Sequence, residues 1–199
     1  MRPARFKWLA GTPLHPQWLI RNERKSFEAL LVHATGCVVD VGCGDGWAKA
    51  CLPEGCMYVG MDSISTGRDL YAARPTVFAN AEQLPLQDGS VDTVVMFEVA
   101  EHLANVEDSI REASRCLKPG GCLILSVPFN YPIHDAPHDY RRFTRHGLAH
   151  EISRAGFVVH RLDPRLSDLA TAGLMTSLAL AGTAIALMKR PGLASLGIP

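Results

Sequence analysis

The fold of this chain is decided by the stretch VVDVGCGDGW, residues 38–47. A β-branched run typical of a buried strand passes directly into three glycines at alternate positions. Glycine leaves a turn without side chains, so a ligand or another segment can approach its backbone closely. The stretch therefore predicts a strand, a tight turn and the start of a helix, with the turn as a candidate binding site.

The composition is that of an ordinary globular domain. The chain has 199 residues, 47% of them hydrophobic, and a formal net charge of zero. It contains no long basic or acidic run, which argues against nucleic acid as the main partner. Its six cysteines form no C-x-x-C pair, and the basic N-terminus leads into no apolar run. A reducing, cytoplasmic location is therefore expected.

Strand patterns alternate with helical patterns along most of the chain. This order predicts an α/β fold, a Rossmann-like, doubly wound, mostly parallel sheet with helices on both faces. The predicted strands are 37–41, 58–62, 76–80, 90–98, 122–128 and 158–162. The predicted helices are 22–33, 47–52, 106–117 and 144–157, with Asn22 and Thr144 as N-caps.

The chain is expected to have three regions. Residues 1–21 form an N-terminal arm or cap, residues 22–165 form the ligand-binding domain, and residues 166–199 form an apolar helical segment. Within the last region, 169–188 carries no charge, but twelve of these twenty residues are Ala, Gly, Thr or Ser, which is weak for a membrane span. At helical spacing, one apolar stripe is made of Leu174, Leu178, Ala181, Ile185 and Met188. A lid, a dimer contact, peripheral membrane contact and a true span are the alternatives.

The spacing around the glycine turn indicates which ligand it suits. Asp62 ends the second predicted strand, where an acid accepts hydrogen bonds from both hydroxyls of a ribose. The third glycine comes one residue too early for a dinucleotide fingerprint, and Asp45 inside the turn would repel a pyrophosphate. Acids at Asp40 and Asp45 favour an adenosine-bearing sulfonium, which is cationic and has no phosphate. The alternative is a tight turn without a ligand.

Five motifs in this order resemble the class I S-adenosylmethionine-dependent methyltransferases, in particular the broad group that acts on small molecules. They are VVDVGCGDG (38–46), YVGMD (58–62), NAEQLPLQDGSVDTVV (80–95), EVAEHL (98–103) and REASRCLKPGGCLILSVP (111–128). The resemblance covers about residues 36–160 and implies S-adenosylmethionine as cofactor. The family usually adds a seventh, antiparallel strand, which has no counterpart here, so the sheet is expected to be incomplete at its C-terminal edge.

The resemblance also implies donor-binding roles. The backbone of Gly42, Cys43 and Gly44 would approach the methionine and ribose portions, Asp40 would anchor the turn and orient the ammonium, and Asp62 would hold the ribose hydroxyls. The remaining implied residues are Ser63 beside the adenine, Asn80, Ala81 and Glu82 at its edge, and Phe97 and Glu98 at the methionine. Asn80 stands where the family usually has Asp, but its amide oxygen can still accept a hydrogen bond from the adenine amino group.

The segment 128–147 follows the fifth predicted strand and should cover the site, because open α/β sheets bind ligands outside the carboxyl ends of their strands. A pattern formed by His134, Asp139, Arg142 and Thr144 resembles a subset of these methyltransferases and implies a polar, anionic or glycosyl acceptor. The functional interpretation makes His134 or His138 a general base and Arg141 or Arg142 an anion clamp. In the structural alternative, Asp139 pairs with an arginine and caps the next helix.

The stretch HDAPHD, 134–139, also raises the question of a metal. Its two histidines and two acids could chelate an ion, but Pro137 stiffens the loop and no other ligand cluster is apparent in the sequence. No metal is therefore expected.

The sequence thus predicts transfer of a methyl group from S-adenosylmethionine to an O or N atom of a small-molecule, glycosyl or lipid-linked acceptor. One alternative is a non-catalytic scaffold or partner subunit that keeps the fold. An NAD-type oxidoreductase is disfavoured by the glycine spacing and by the absence of an evident Tyr-x-x-x-Lys pair. A homodimer or peripheral membrane contact is considered for the apolar segment.

Overall fold

The computed structural model describes residues 23–188. Residues 25–163 form one compact unit, and α5, defined below, belongs to a second. The predicted arm 1–21 and the predicted N-cap Asn22 lie outside the described residues.

The compact unit is built on a five-stranded parallel sheet with the strand order β3-β2-β1-β4-β5. The strands are β1 (Cys37–Val41), β2 (Met57–Asp62), β3 (Val77–Phe78), β4 (Val91–Phe97) and β5 (Leu117–Ser126). The order runs outward in both directions from β1, which confirms the doubly wound α/β prediction. Ligands of such sheets bind where the order reverses, here at the carboxyl ends of β1 and β4.

Helices connect the strands. They are α1 (Glu23–Leu31), a 3₁₀ helix (Trp47–Cys51), a π-helical turn (Ile64–Arg68), α2 (Asp69–Tyr71), a second 3₁₀ helix (Ala100–His102), α3 (Val106–Cys116), α4 (Arg145–Arg154) and α5 (Asp168–Met188). The predicted N-cap of α4 is confirmed, because the Thr144 hydroxyl accepts a hydrogen bond from the Gly147 amide at 3.0 Å.

Apolar side chains bury both faces of the sheet. Val38 and Val95 lie fully buried in a cluster with Leu31 of α1 and with the first 3₁₀ helix, while Val39 and Val94 face a second cluster that includes α3. Each such side chain contributes about 1.5–3 kcal/mol when removed from water. Central strands buried on both faces explain the continuous apolar runs in the sequence.

Three sequence predictions of secondary structure need correction. The predicted sixth strand, 158–162, is not a strand. Its neighbour Phe157 and its last residue Leu162 pack with a cluster centred on α3 and α4, which holds the segment against helices rather than at a sheet edge. The strand predicted at 76–80 is only two residues long, and the helix after the glycine turn is a short 3₁₀ helix.

The apolar segment forms α5, and its burial follows the predicted stripe as far as side chains are described. Leu174 is buried and Leu178 and Ala181 are half-buried, whereas Thr176 and Thr183 are exposed. Across residues 23–188, the structure contains no helix with the length and apolar character needed to cross a membrane.

Candidate active site

The glycine turn is held against the end of β2. The amides of Gly42 and Cys43 both donate to the Met61 carbonyl, at 2.8 and 3.0 Å. Gly42 and Gly44 have φ angles of 74° and 56°, a left-handed conformation that favours glycine. Apart from Gly44 and its two chain neighbours, no atom of residues 23–188 lies within 4 Å of the position a Gly44 Cβ would take, so no described side chain fills the space beside the turn at this residue.

Asp62 joins this turn to the next loop. Its Oδ2 accepts from the Gly44 amide and its Oδ1 from the Ser63 amide, both at 2.8 Å. Gly67 fits against the carboxylate, since a Cβ there would lie 2.1 Å from Oδ1. Each carboxylate oxygen has two lone pairs and keeps capacity for a further donor such as a hydroxyl. Asp62 is therefore fixed in place at the end of β2, as the sequence predicts for a ribose-binding acid.

Asp40 is a buried acid beneath the turn. Only 4% of it is exposed, and its Oδ2 accepts from the Tyr58 hydroxyl at 2.8 Å. Burial raises the pKa of Asp40 to about 6, the Tyr58 hydrogen bond lowers it, and the nearby Asp62 raises it further. A cationic ligand group near this carboxyl would favour its ionised form.

The residues predicted to surround the adenine make local contacts of their own. The Asn80 side-chain oxygen accepts from the Glu82 amide at 3.0 Å, which closes a tight turn around the buried Ala81. The Glu82 carboxylate accepts from the backbone and side-chain nitrogens of Asn105, at 2.8 and 3.2 Å. The Ser63 hydroxyl caps the π-helical turn by accepting from the Thr66 amide at 3.0 Å. Their adenine contacts stay a prediction.

Arg115 of α3 fixes the segment that follows this turn. Its guanidinium donates to the Leu84 and Leu86 carbonyls, at 3.1 and 2.8 Å, and pairs with Glu112. Glu112 in turn accepts from the Leu84 amide at 2.8 Å. The loop 80–86 is thus held to α3 by charged hydrogen bonds.

Phe97 and Glu98 lie at the end of β4, and their side chains contact different parts of the protein. The Phe97 ring stacks on Phe27 and Trp47, with centroids 4.5 and 5.9 Å away. Glu98 has a left-handed φ of 55° and its Oε1 accepts from the Ser126 hydroxyl at 2.7 Å. A strained non-glycine residue held by the end of β5 is typical of functional sites.

The loop after β5 brings the predicted catalytic residues next to this edge. The His134 amide donates to Asp139 Oδ2 at 2.8 Å, and the Arg142 guanidinium grips the same carboxylate. This pairing holds the pKa of Asp139 well below its usual range, chiefly through the Arg142 hydrogen bonds. Asp139 does not cap α4, because Thr144 does so. His138 contributes its carbonyl, which lies 2.7 Å from His102 Nδ1.

Glu101 is the residue that the sequence analysis missed. It lies in the 3₁₀ helix after β4 and is fully buried, and neither carboxylate oxygen has a hydrogen-bond partner within the described residues. Burial raises its pKa to about 8, and the charge of Glu98 adds to this. His102 Nε2 lies 3.7 Å from Glu101 Oε1. One feature of the sequence could have indicated it: Glu101 comes four residues after the end of the central strand β4, and α/β sheets bind their ligands near the carboxyl ends of such strands.

Comparisons with known proteins show which proteins part of this chain resembles. A family model described as a methyltransferase domain matches residues 39–125. A Mycobacterium tuberculosis protein described as a probable S-adenosylmethionine-dependent methyltransferase is 36% identical over 96 residues, which are 46% of this chain and 35% of that protein. Residues 39–125 thus resemble a methyltransferase domain. It spans only about a third of the length of this curated relative.

Solved structures show the same fold. An S-adenosylmethionine-dependent methyltransferase from Mesorhizobium loti has a TM-score of 0.56 and 17% identity, with coverage of 81% of this chain and 90% of the other. The [4+2]-cyclase SpnF has a TM-score of 0.59 and 21% identity, with coverage of 87% and 69%. Identities this low show the fold alone. One of these two proteins is named a methyltransferase and the other a cyclase, so proteins with this fold catalyse more than one kind of reaction.

The residues of this site fit S-adenosylmethionine, the cofactor that the name of the M. tuberculosis relative gives. The backbone at Gly44 is free of side-chain bulk, Asp62 is fixed beside it, and Asp40 supplies a buried negative charge near the turn. A nucleoside with a cationic tail matches these three features, whereas a pyrophosphate would meet two carboxylates.

Ionisation of Asp40 should make stability depend on pH. Its folded pKa of about 6 exceeds the ordinary value of 3.8, so the folded protein holds this proton more tightly than the unfolded chain. Its contribution is fully present below about pH 4 and is lost as pH rises through about 6, on the order of 2–3 kcal/mol in total. Asp40→Asn should therefore be more stable than wild type by about 1–3 kcal/mol near pH 8 and similar near pH 3.5.

Urea unfolding at both pH values measures this difference. The matched control is Asp163→Asn, an exposed acid of the same unit, whose stability should follow wild type at both. A variant Asp40→Asn that is less stable than wild type near pH 8 would contradict the prediction.

Proposed function

We propose that this protein transfers a methyl group from S-adenosylmethionine to an O or N atom of a small-molecule, glycosyl or lipid-linked acceptor. The observation that carries the proposal is the alignment of the donor-type turn and Asp62 with a polar cluster at the same edge of the sheet. The cluster is formed by Glu101, His102 and His134, which follow β4 and β5. Both sets lie at carboxyl ends of strands, where a donor and an acceptor would meet.

Methyl transfer requires little from the protein beyond correct placement of the acceptor atom next to the methyl group. Methyl transfer is an in-line displacement at an activated sulfonium carbon, and holding the acceptor atom near the methyl group supplies on the order of 7–11 kcal/mol. A base is needed only for an acceptor that must lose a proton. His134 is our candidate for that base, and His138 stays the alternative predicted from the sequence.

Arg142 is better suited to ordering the loop than to clamping an anion. Its five N–H groups donate to Asp139, twice, and to the carbonyls of Tyr131, Pro132 and Arg141. An anionic acceptor would have to displace at least one of these bonds. The predicted anion clamp therefore becomes a positioning role in our proposal, in which Arg142 and Asp139 hold His134.

Two measurements test the proposed function. Calorimetry with S-adenosylhomocysteine measures donor-site binding, and a labelled-methyl screen of extracts from the source organism measures transfer. His134→Ala should lower the rate constant for transfer by about 100-fold or more, since general bases contribute about 10²–10⁴, with affinity for S-adenosylhomocysteine unchanged. The control is His146→Ala, an exposed histidine on α4 outside the cluster.

The outcomes separate the alternatives. No binding at about 1 mM S-adenosylhomocysteine would refute the proposal. Binding without any transfer would favour the non-catalytic scaffold. Equal transfer by His134→Ala and wild type would remove His134 as the base.

The apolar helix α5 is our candidate for a lid or partner contact. Its alternating burial leaves Leu169 and Leu180 exposed, at 84% and 67%. Exposed leucines suit a second copy of the chain or the apolar part of a lipid-linked acceptor. The homodimer and the peripheral membrane contact both stay predictions.

A further inference from the structure

The three groups of the polar cluster come together only in the fold. Glu101 and His102 lie in the 3₁₀ helix after β4, and His134 lies in the loop after β5. One ligand atom from each, a carboxylate oxygen and two ring nitrogens, lie within 4.8 Å of one another. The His102 and His134 rings meet edge to face, with centroids 4.9 Å apart.

Glu101 gives the cluster a buried carboxylate that lacks a hydrogen-bond partner among the described residues. Its carboxylate is 0% exposed, and both oxygens lack a hydrogen-bond partner among residues 23–188. Burying a polar group without a partner costs free energy, and buried acids are therefore paired or coordinate metals. Glu101 Oε1 is directed toward His102 Nε2, 3.7 Å away, too far for a hydrogen bond between them.

Both histidines have the other ring nitrogen occupied. His102 Nδ1 lies 2.7 Å from the His138 carbonyl, so this nitrogen carries the proton and Nε2 presents a lone pair. His134 Nδ1 lies 3.2 Å from Asp139 Oδ2 and 3.4 Å from the Pro132 carbonyl. These two acceptors outweigh a longer contact of 3.5 Å from Arg142 Nη2 and keep the proton on Nδ1. A histidine oriented by a carboxylate or carbonyl is typical of metal ligands.

Asp135 stands between the two free ring nitrogens. Its Oδ2 lies 3.9 Å from His102 Nε2 and 4.0 Å from His134 Nε2. Tyr71, which follows β2, donates its hydroxyl to the same Asp135 oxygen and so orients the carboxylate. Asp135 therefore lies beside both histidines, but outside the group of three whose ligand atoms lie within 4.8 Å of one another.

We propose that Glu101, His102 and His134 bind one divalent transition-metal ion, with Asp135 beside them as a candidate fourth ligand. In a tetrahedral site, Zn²⁺ bonds of about 2.0–2.2 Å place two ligands roughly 3.3–3.6 Å apart, so ligand atoms that now lie 3.7 Å to within 4.8 Å apart must move closer by about 1 Å or less when the ion binds. Mixed imidazole and carboxylate ligands favour Zn²⁺ or Mn²⁺ over Mg²⁺, which prefers oxygen. The proposal departs from the expectation of no metal because Glu101 and His102 are remote from HDAPHD in sequence.

Such an ion would replace His134 as the group that activates the acceptor, because His134 Nε2 cannot ligate the ion and accept a proton at the same time. It would lie at the carboxyl ends of β4 and β5 and could bind an acceptor hydroxyl or phosphate oxygen, lowering the pKa of a hydroxyl before methyl transfer. This use rests on the proposed function, whereas binding of the ion does not.

Calorimetry on the full chain, freed of metal by a chelator, tests the site with Zn²⁺, Mn²⁺ and Mg²⁺ added separately. We expect one Zn²⁺ per chain, with weaker Mg²⁺ binding. Glu101→Gln and His134→Ala should each lower Zn²⁺ affinity by at least about 10-fold. The matched control His146→Ala should bind as wild type does.

Substitution of Co²⁺ distinguishes this site from the cysteines. Nitrogen and oxygen ligands give no thiolate charge-transfer band, so the Co²⁺ spectrum should lack it. The proposal is overturned by a thiolate band that disappears in Cys122→Ser, by Zn²⁺ affinity of Glu101→Gln equal to wild type, or by no stoichiometric binding. S-adenosylhomocysteine affinity of the metal-free protein, measured in parallel, shows whether the donor site is intact when the metal proposal fails.

Discussion

Asp62→Ala is expected to weaken binding of S-adenosylhomocysteine by about 100-fold or more. Hydrogen bonds to charged groups contribute about 1.5–3 kcal/mol each, and two ribose hydroxyls would lose their acceptor. The variant also leaves the Gly44 amide without its partner, which loosens the turn that faces the ligand. Calorimetry on wild type and variant measures the change in affinity, and thermal unfolding shows that the variant is folded.

A second variant separates the position of the carboxylate from its presence. Gly67→Ala keeps Asp62 but places a methyl group 2.1 Å from its present Oδ1, so the carboxylate must move. Affinity should fall in this variant as well. The control is Asp69→Ala, an exposed acid two residues further along that pairs with Arg68. Retention of wild-type affinity by Asp62→Ala would refute the ribose-binding role and weaken the donor assignment.

Gly42→Ala should be the most destabilising single change in the glycine turn. Its φ of 74° opposes a side chain, which costs roughly 1 kcal/mol. In addition, the new Cβ would lie 2.3 Å from Cγ2 of Val99, and overpacking of this kind costs about 1–3 kcal/mol. Together the free energy of unfolding should fall by about 2–4 kcal/mol.

Two companion variants identify the cause. Gly44→Ala shares the left-handed φ but meets nothing within 4 Å, so it should lose only about 1 kcal/mol. Val99→Ala removes the overlapping methyl groups, so the double variant Gly42→Ala/Val99→Ala should lose at least about 1 kcal/mol less than the sum of the single changes. Strictly additive losses in urea unfolding would show that contact with Val99 is not the reason for glycine at position 42.

The donor half of the site could be predicted because its signals are local. The glycines of the turn and Asp62 belong to two strand ends, and parallel strands bring such ends to one edge. The apolar run of each central strand likewise reports burial on both faces. The predicted strand 158–162 was wrong because an apolar run has the same appearance whether it pairs with a sheet or packs on helices.

The acceptor half depends on contacts that are distant along the chain. Glu101 and His134 are separated by 33 positions in sequence but share a cluster within 4.8 Å. The burial of Glu101, the choice of Thr144 rather than Asp139 as the N-cap, and the occupation of every Arg142 donor follow from how the loop after β5 folds back. None of these leaves a periodic pattern in the sequence.

The sequence by itself therefore determined the sheet, the turn and the position of the acid that we predict to bind a ribose, since each depends on residue type within a few positions. The tertiary structure alone decided which polar side chains are buried away from solvent and which form hydrogen bonds or ion pairs. Burial and long-range pairing depend on the whole packed chain, and they make a buried glutamate and two oriented histidines a candidate metal site.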